Sequence, residues 1–78
     1  MSRTKPKPVD EALRDKGFIP ASEAALRLGY STQTIYDWAS AGKIHEVRLG
    51  VAHWVEWASV CAYFKRLAPE VAKLVGIP

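Results

Sequence analysis

Leu28-Gly29-Tyr30-Ser31-Thr32-Gln33-Thr34-Ile35-Tyr36-Asp37-Trp38-Ala39-Ser40-Ala41-Gly42-Lys43 is the stretch on which the fold turns. It reads as a helix end, a tight turn and a second helix with a marked start and stop. Gly29 can close the preceding helix in the left-handed conformation without a Cβ penalty. Ser31 is placed as N-cap, its hydroxyl accepting from a backbone N–H of the following turn. Ile35, Trp38 and Ala39 fall at i, i+3, i+4, so one face looks inward. Gly42 ends the helix, and Lys43 beyond it complements the negative end of the dipole. The opposite face carries Thr32, Gln33, Tyr36 and Asp37, which can donate, accept or stack. A short polar-faced helix joined to a partner helix by a glycine-containing turn is the helix-turn-helix arrangement. Its second helix is expected over about residues 31–42.

Upstream of this stretch, Ala21, Ala24, Ala25 and Leu28 form a small-residue stripe at helical spacing, which lets another helix approach closely. Leu26 lies off that stripe. Pro20 suits the first turn of this helix, and Phe18-Ile19-Pro20 leads into it as extended chain. Asp10 to Lys16 fits a short helix with Asp10 as cap and Gly17 as stop. Residues 1–9 are expected to be a flexible basic arm. Pro6 and Pro8 disfavour helix there. The arm is either a solvated terminus or a segment that follows a phosphate backbone or enters a minor groove.

Downstream, the apolar period changes from helical to alternating. Glu46-Val47-Arg48-Leu49 has the pattern of a strand, and His53-Trp54-Val55 can pair back after a turn at Gly50-Val51-Ala52. Trp57, Val60, Tyr63, Phe64 and Leu67 then resume helical spacing. The expected fold is mainly α with a small β-hairpin, in one domain over residues 10–67. Residues 68–78 add a short C-terminal helix or tail, with Val71, Leu74 and Val75 on one face. The expected core contains Leu28, Ile35, Trp38, Val60 and Phe64, with Trp57 beside them; Trp54 could face either way.

Composition bounds the function. The 78 residues include three Trp, three Tyr and two Phe, enough for one compact globule. No apolar run approaches the roughly 20 residues of a membrane span. The basic start lacks the apolar stretch of a secretory signal, and one cysteine forms no internal disulfide. A cytoplasmic location, such as a bacterial nucleoid or phage-infected cell, is the expectation. Net charge is +3, from 11 basic and 8 acidic residues. Arg3, Lys5 and Lys7 precede the first acid, so the remaining 8 basic and 8 acidic residues balance. Nucleic-acid binding would therefore rest on where charge is placed, not on a strongly basic surface.

The span from about Phe18 to Leu67 resembles the MerR-like, excisionase-type winged helix-turn-helix domains. The resemblance rests on Leu28-Gly29-Tyr30-Ser31, Thr34-Ile35-Tyr36-Asp37-Trp38, Gly42-Lys43-Ile44 and Val47-Arg48-Leu49-Gly50, in that order. It implies binding to double-stranded DNA, with the second helix in the major groove and the wing, residues 46–55, on backbone or minor groove. It puts Thr32, Gln33, Tyr36 and Asp37 at DNA-facing helix positions, and Lys43 and Arg48 at phosphate-contacting ones. Relatives usually carry basic residues at the wing tip, where this chain has Val51-Ala52. The position of Asp37 is often Arg or Lys in them.

The leading expectation is thus a sequence-specific DNA-binding protein, an excisionase-like directionality factor or small transcription regulator, with a phage small-terminase-like packaging module as a near relative. The alternative class is a protein-interaction module that uses the apolar wing and the C-terminal helix. Val71, Leu74 and Val75 are candidates for self-association. Gln33 can read an adenine edge, Tyr36 can bond a phosphate or pack on the core, and Arg48 suits a phosphate. No enzyme activity, cofactor or metal site is expected. Cys61 sits mid-helix among apolar positions, and His45, His53 and Cys61 lack metal-ligand spacing.

Overall fold

The computed structural model describes residues 8–77, which form five helices and a three-stranded antiparallel sheet. In chain order they are α1 (Val9–Asp15), β1 (Phe18–Pro20), α2 (Ala21–Leu28) and α3 (Thr32–Ser40). These are followed by β2 (Glu46–Leu49), β3 (Ala52–Glu56), α4 (Trp57–Leu67) and α5 (Pro69–Val75). The fold is mainly helical, as the sequence indicates, but the sheet has one strand more than a hairpin. Phe18–Pro20 pairs with β3, Ile19 lying opposite Val55, so the strand order is β1-β3-β2. Pro20 is tolerated because it ends an edge strand.

Both ends of the α2–α3 turn follow from local chemistry. Gly29 has φ 78° and Gly42 has φ 75°. The N–H of Tyr30 reaches the Ala25 carbonyl, and that of Lys43 reaches the Trp38 carbonyl. Each is a bond that satisfies a helix-terminal carbonyl from just beyond a left-handed residue. Ser31 Oγ accepts from the Thr34 N–H at 3.2 Å, as a cap should. A Cβ at Gly42 would meet nothing within 4 Å, so only the backbone resists substitution there. Gly42→Ala is expected to cost about 1–2 kcal/mol from the left-handed conformation. Urea unfolding should show a lower midpoint with an unchanged slope.

Two local expectations shift. α1 starts at Val9 with Pro8 in the cap position, and Asp10 lies inside the first turn without capping it. The hairpin loop is two residues, Gly50-Val51, because Ala52 already pairs with Leu49. Gly50 has φ 60° and no non-glycine residue has positive φ among those described, the pattern of a type II′ turn.

Alternation divides the sheet into two faces. Ile19, Val55, His53, Glu46 and Arg48 share one; Pro20, Trp54, Val47, Leu49 and Ala52 share the other, since directly paired residues point the same way. The first face meets the α2–α3 pair. There Ile35, Val55 and Val60 are fully buried, joined by Ile19, Ile44 and the alanines 21, 24 and 25. Phe64 is buried as expected, but Leu28, Trp38 and Trp57 are only partly buried against this core. A chain of edge-to-face rings explains Trp38. Its ring meets Tyr30 at 5.2 Å and Tyr63 at 5.0 Å, and Tyr30 in turn meets Phe64 at 6.0 Å. Trp38 thus braces α3 against α4 from the rim.

The buried tryptophan is Trp54, on the second sheet face, with the Arg14 guanidinium of α1 6.0 Å from its ring centre. Arg14 also ties α1 to α2: its Nη2 donates to Glu23 Oε1 at 2.8 Å, while Arg27 Nη2 donates to Glu23 Oε2 at 2.7 Å. The Arg14 hydrogen bond holds the Glu23 carboxyl below its ordinary range, against partial desolvation that pushes the other way. A carboxyl depressed on folding stabilises the fold above its unfolded pKa and loses that contribution as pH falls through the folded value. Glu23→Gln should therefore lower Tm slightly around neutral pH, surface ion pairs being weak, have its least effect in acid, and so flatten the acid limb of a plot of Tm against pH.

Candidate nucleic-acid interface

The exposed side of α3 is built by the same spacing that buries Ile35. Gln33 and Asp37 are exposed, while Thr32 and Tyr36 are half-buried beside them. Gln33 Nε2 donates to Asp37 Oδ1 at 2.9 Å, an i, i+4 contact along the helix surface. That bond uses one of the two amide protons of Gln33. The carbonyl oxygen and the second N–H remain, which is the pair needed to bond an adenine edge.

Tyr36 connects α3 to the sheet. Its ring lies 4.4 Å from that of His53, centre to centre, at a tilt of 37°. His53 in turn bonds Glu46 through Nδ1 at 2.7 Å; an ionised carboxylate only accepts, so the ring N–H donates. Glu46 also lies 3.8 Å from the Arg48 guanidinium, a loose pair on a largely exposed arginine. Thr32, Gln33, Tyr36, Asp37, His53, Glu46 and Arg48 therefore form one continuous surface running from α3 onto β2 and β3. A cleft of about 240 Å3 opens next to it, between the start of α2, Tyr36 and the hairpin tip, with Ser22 and His53 in its wall.

This surface unites five of the residues singled out from sequence: Thr32, Gln33, Tyr36, Asp37 and Arg48. Lys43 is exposed in the turn after α3, and none of the described ion pairs engages it. Arg3, Lys5 and Lys7 lie outside the described residues. The sequence reading left out Glu46 and His53. Their signal was the alternation itself, because His53 and Val55 must share a face once Val55 is core.

Comparison with known protein families, with characterised proteins and with solved structures finds no match. The reading of this surface therefore stands on its own chemistry. It carries Asp37 and Glu46 against Arg48, so it is polar, with one acid more than it has bases. Such a surface suits hydrogen-bond readout more than tight attachment to a polyanion. The hairpin tip beside it is apolar, with Val51 97% exposed. No helix among the described residues is long and apolar enough to cross a membrane.

Proposed function

We propose that the chain is a sequence-specific binder of double-stranded DNA, a winged helix-turn-helix module of the excisionase or small-regulator kind. In this reading α3 lies in the major groove and the β2–β3 hairpin rests on the adjoining backbone or minor groove. The observation that carries it is the continuity of the α3 polar face with Arg48 through the Tyr36–His53 contact. One docked duplex can then meet base-reading and phosphate-binding groups together. With no Lys or Arg between Ser31 and Gly42, α3 reads bases, and Arg48, Lys43 and the cations at positions 3, 5 and 7 hold phosphates. A single module makes few base contacts, so specific affinity is modest.

Selection of bound duplexes from a random pool, followed by titration at several salt concentrations, tests the proposal. With four or five phosphates neutralised, log affinity falls with log salt at a slope near −4. Arg48→Ala is expected to weaken every duplex alike and reduce the slope by about 1, whereas Gln33→Ala relaxes preference at one base pair. Absence of binding at low salt overturns the proposal. One observation favours a second reading, a protein-interaction module: Leu49 and Val51 are exposed at the hairpin tip, where a DNA-bound wing gains from cations. In that case salt has little effect on binding and Val51→Lys abolishes it.

A further inference from the structure

Two apolar features lie outside the α3 surface. The first is α5. A seven-residue helix is too short to be stable alone, and Ala72 is the one residue it buries. Its outer face exposes Leu74 by 85%, Val75 by 60% and Val71 by 46%. Soluble surfaces scatter such residues singly, and clustering marks a contact site. The second feature is a cleft of about 430 Å3 between α4 and the turn from α1 to β1. Trp57, Ala58, Cys61 and Ala62 line it, together with Lys16, Lys65 and one carboxylate, Glu56. Cys61 adds no charge to the floor, since burial pushes its thiol pKa up.

We infer that the chain associates with a second copy of itself head to tail, the Val71–Leu74–Val75 face of α5 on one copy seated in the α4 cleft of the next. Shape supports the match. Ala58 and Ala62 are one turn apart on α4, and small residues at that spacing leave a groove that a second helix can approach closely. The volume lies within the roughly 300–1,000 Å3 range of sites that take an apolar occupant. Charge supports it as well. At 3.6 residues per turn Glu70 borders the Leu74 edge of the apolar face and Lys73 lies farther round, so an acid faces a cleft whose lining has two cations, Lys16 and Lys65, against the one carboxylate of Glu56. A knob and a pocket at different places on one molecule make a heterologous contact, which adds copies in a row instead of closing as a symmetric pair. The interface is small, so association is weak and reversible.

Sedimentation velocity without DNA tests this apart from the DNA-binding proposal. The intact chain should show mass growing beyond a dimer in a concentration series reaching the millimolar range. Leu74→Glu removes the knob and Ala62→Glu blocks the cleft. Both sites are exposed, and circular dichroism checks that the variants stay folded. Each variant alone is expected to be monomeric. Their equimolar mixture should form a 1:1 dimer and nothing larger, because one knob and one cleft survive between them. In addition, Glu70→Lys and Lys65→Glu should each weaken assembly, and the pair together should restore it in part. A monomeric intact chain overturns the inference. So does an Ala62→Glu chain that still self-associates, since that outcome means α5 pairs with α5.

Discussion

Replacing Ile35 by alanine is expected to remove a large share of the stability of this protein. Ile35 is fully buried where α3, α2 and the sheet meet. Its neighbours Ala21, Ala24 and Ala25 are already the smallest side chains that can pack. They cannot swing into the space left behind, and a site that cannot collapse sits high in the range of about 2–5 kcal/mol for Ile→Ala. A chain of 78 residues has a total stability of about 4–12 kcal/mol at 0.05–0.15 kcal/mol per residue. At about 4–5 kcal/mol the substitution therefore takes roughly a third to all of it. Thermal unfolding should show a fall of ten degrees or more, on the order of 4–8 °C per kcal/mol for a domain of this size. Leu26→Ala, on an 83% exposed side chain of α2, is the control and should change little.

How much of this fold could be read from the sequence depended on how local its causes are. Gly29, Ser31 and Gly42 act within a few residues of themselves, so the turn and both ends of α3 were legible. The β1 strand was not. Three residues of extended chain before a proline acquire strand identity only by pairing with Val55, far along the chain, and no local pattern announces that. The tryptophans make the same point. Trp38 and Trp57 lie on helical apolar stripes and are half-buried, while Trp54, on a strand of undecided face, is the buried one. Its surroundings include the Arg14 guanidinium of α1, brought to its ring by tertiary packing without a sequence period. The candidate site divides likewise. Gln33 and Asp37 were legible as members of the polar face of α3, whereas their hydrogen bond and the contact of Tyr36 with His53, which joins α3 to the hairpin, needed the structure.

Asp37→Lys should then have the largest effect on DNA binding, and its sign separates the two proposed functions. Asp37 stands exposed on α3 and accepts a hydrogen bond from Gln33. If α3 lies in a major groove, the carboxylate repels nearby phosphates and is retained for two positional tasks. It accepts from a cytosine amino group, and it orients the Gln33 amide toward an adenine. Lysine removes the repulsion and adds a cation, two charge units in all. At solvent-exposed separations each unit contributes on the order of 1 kcal/mol. Affinity for arbitrary duplexes at low salt should rise about ten- to a hundredfold, and the salt slope should steepen by about 1. At the same time preference at the Gln33 and Asp37 base pairs should fall, so the ratio of specific to non-specific binding shrinks even as binding tightens. Asp37→Asn keeps an acceptor for Gln33 and removes only the charge. It should tighten binding less and keep most of the adenine preference. In the protein-interaction reading the partner sits on the hairpin tip, so lysine at position 37 leaves that binding almost unchanged and there is no base-pair preference to lose. Fluorescence anisotropy of selected and scrambled duplexes across a salt series reads both quantities in one experiment.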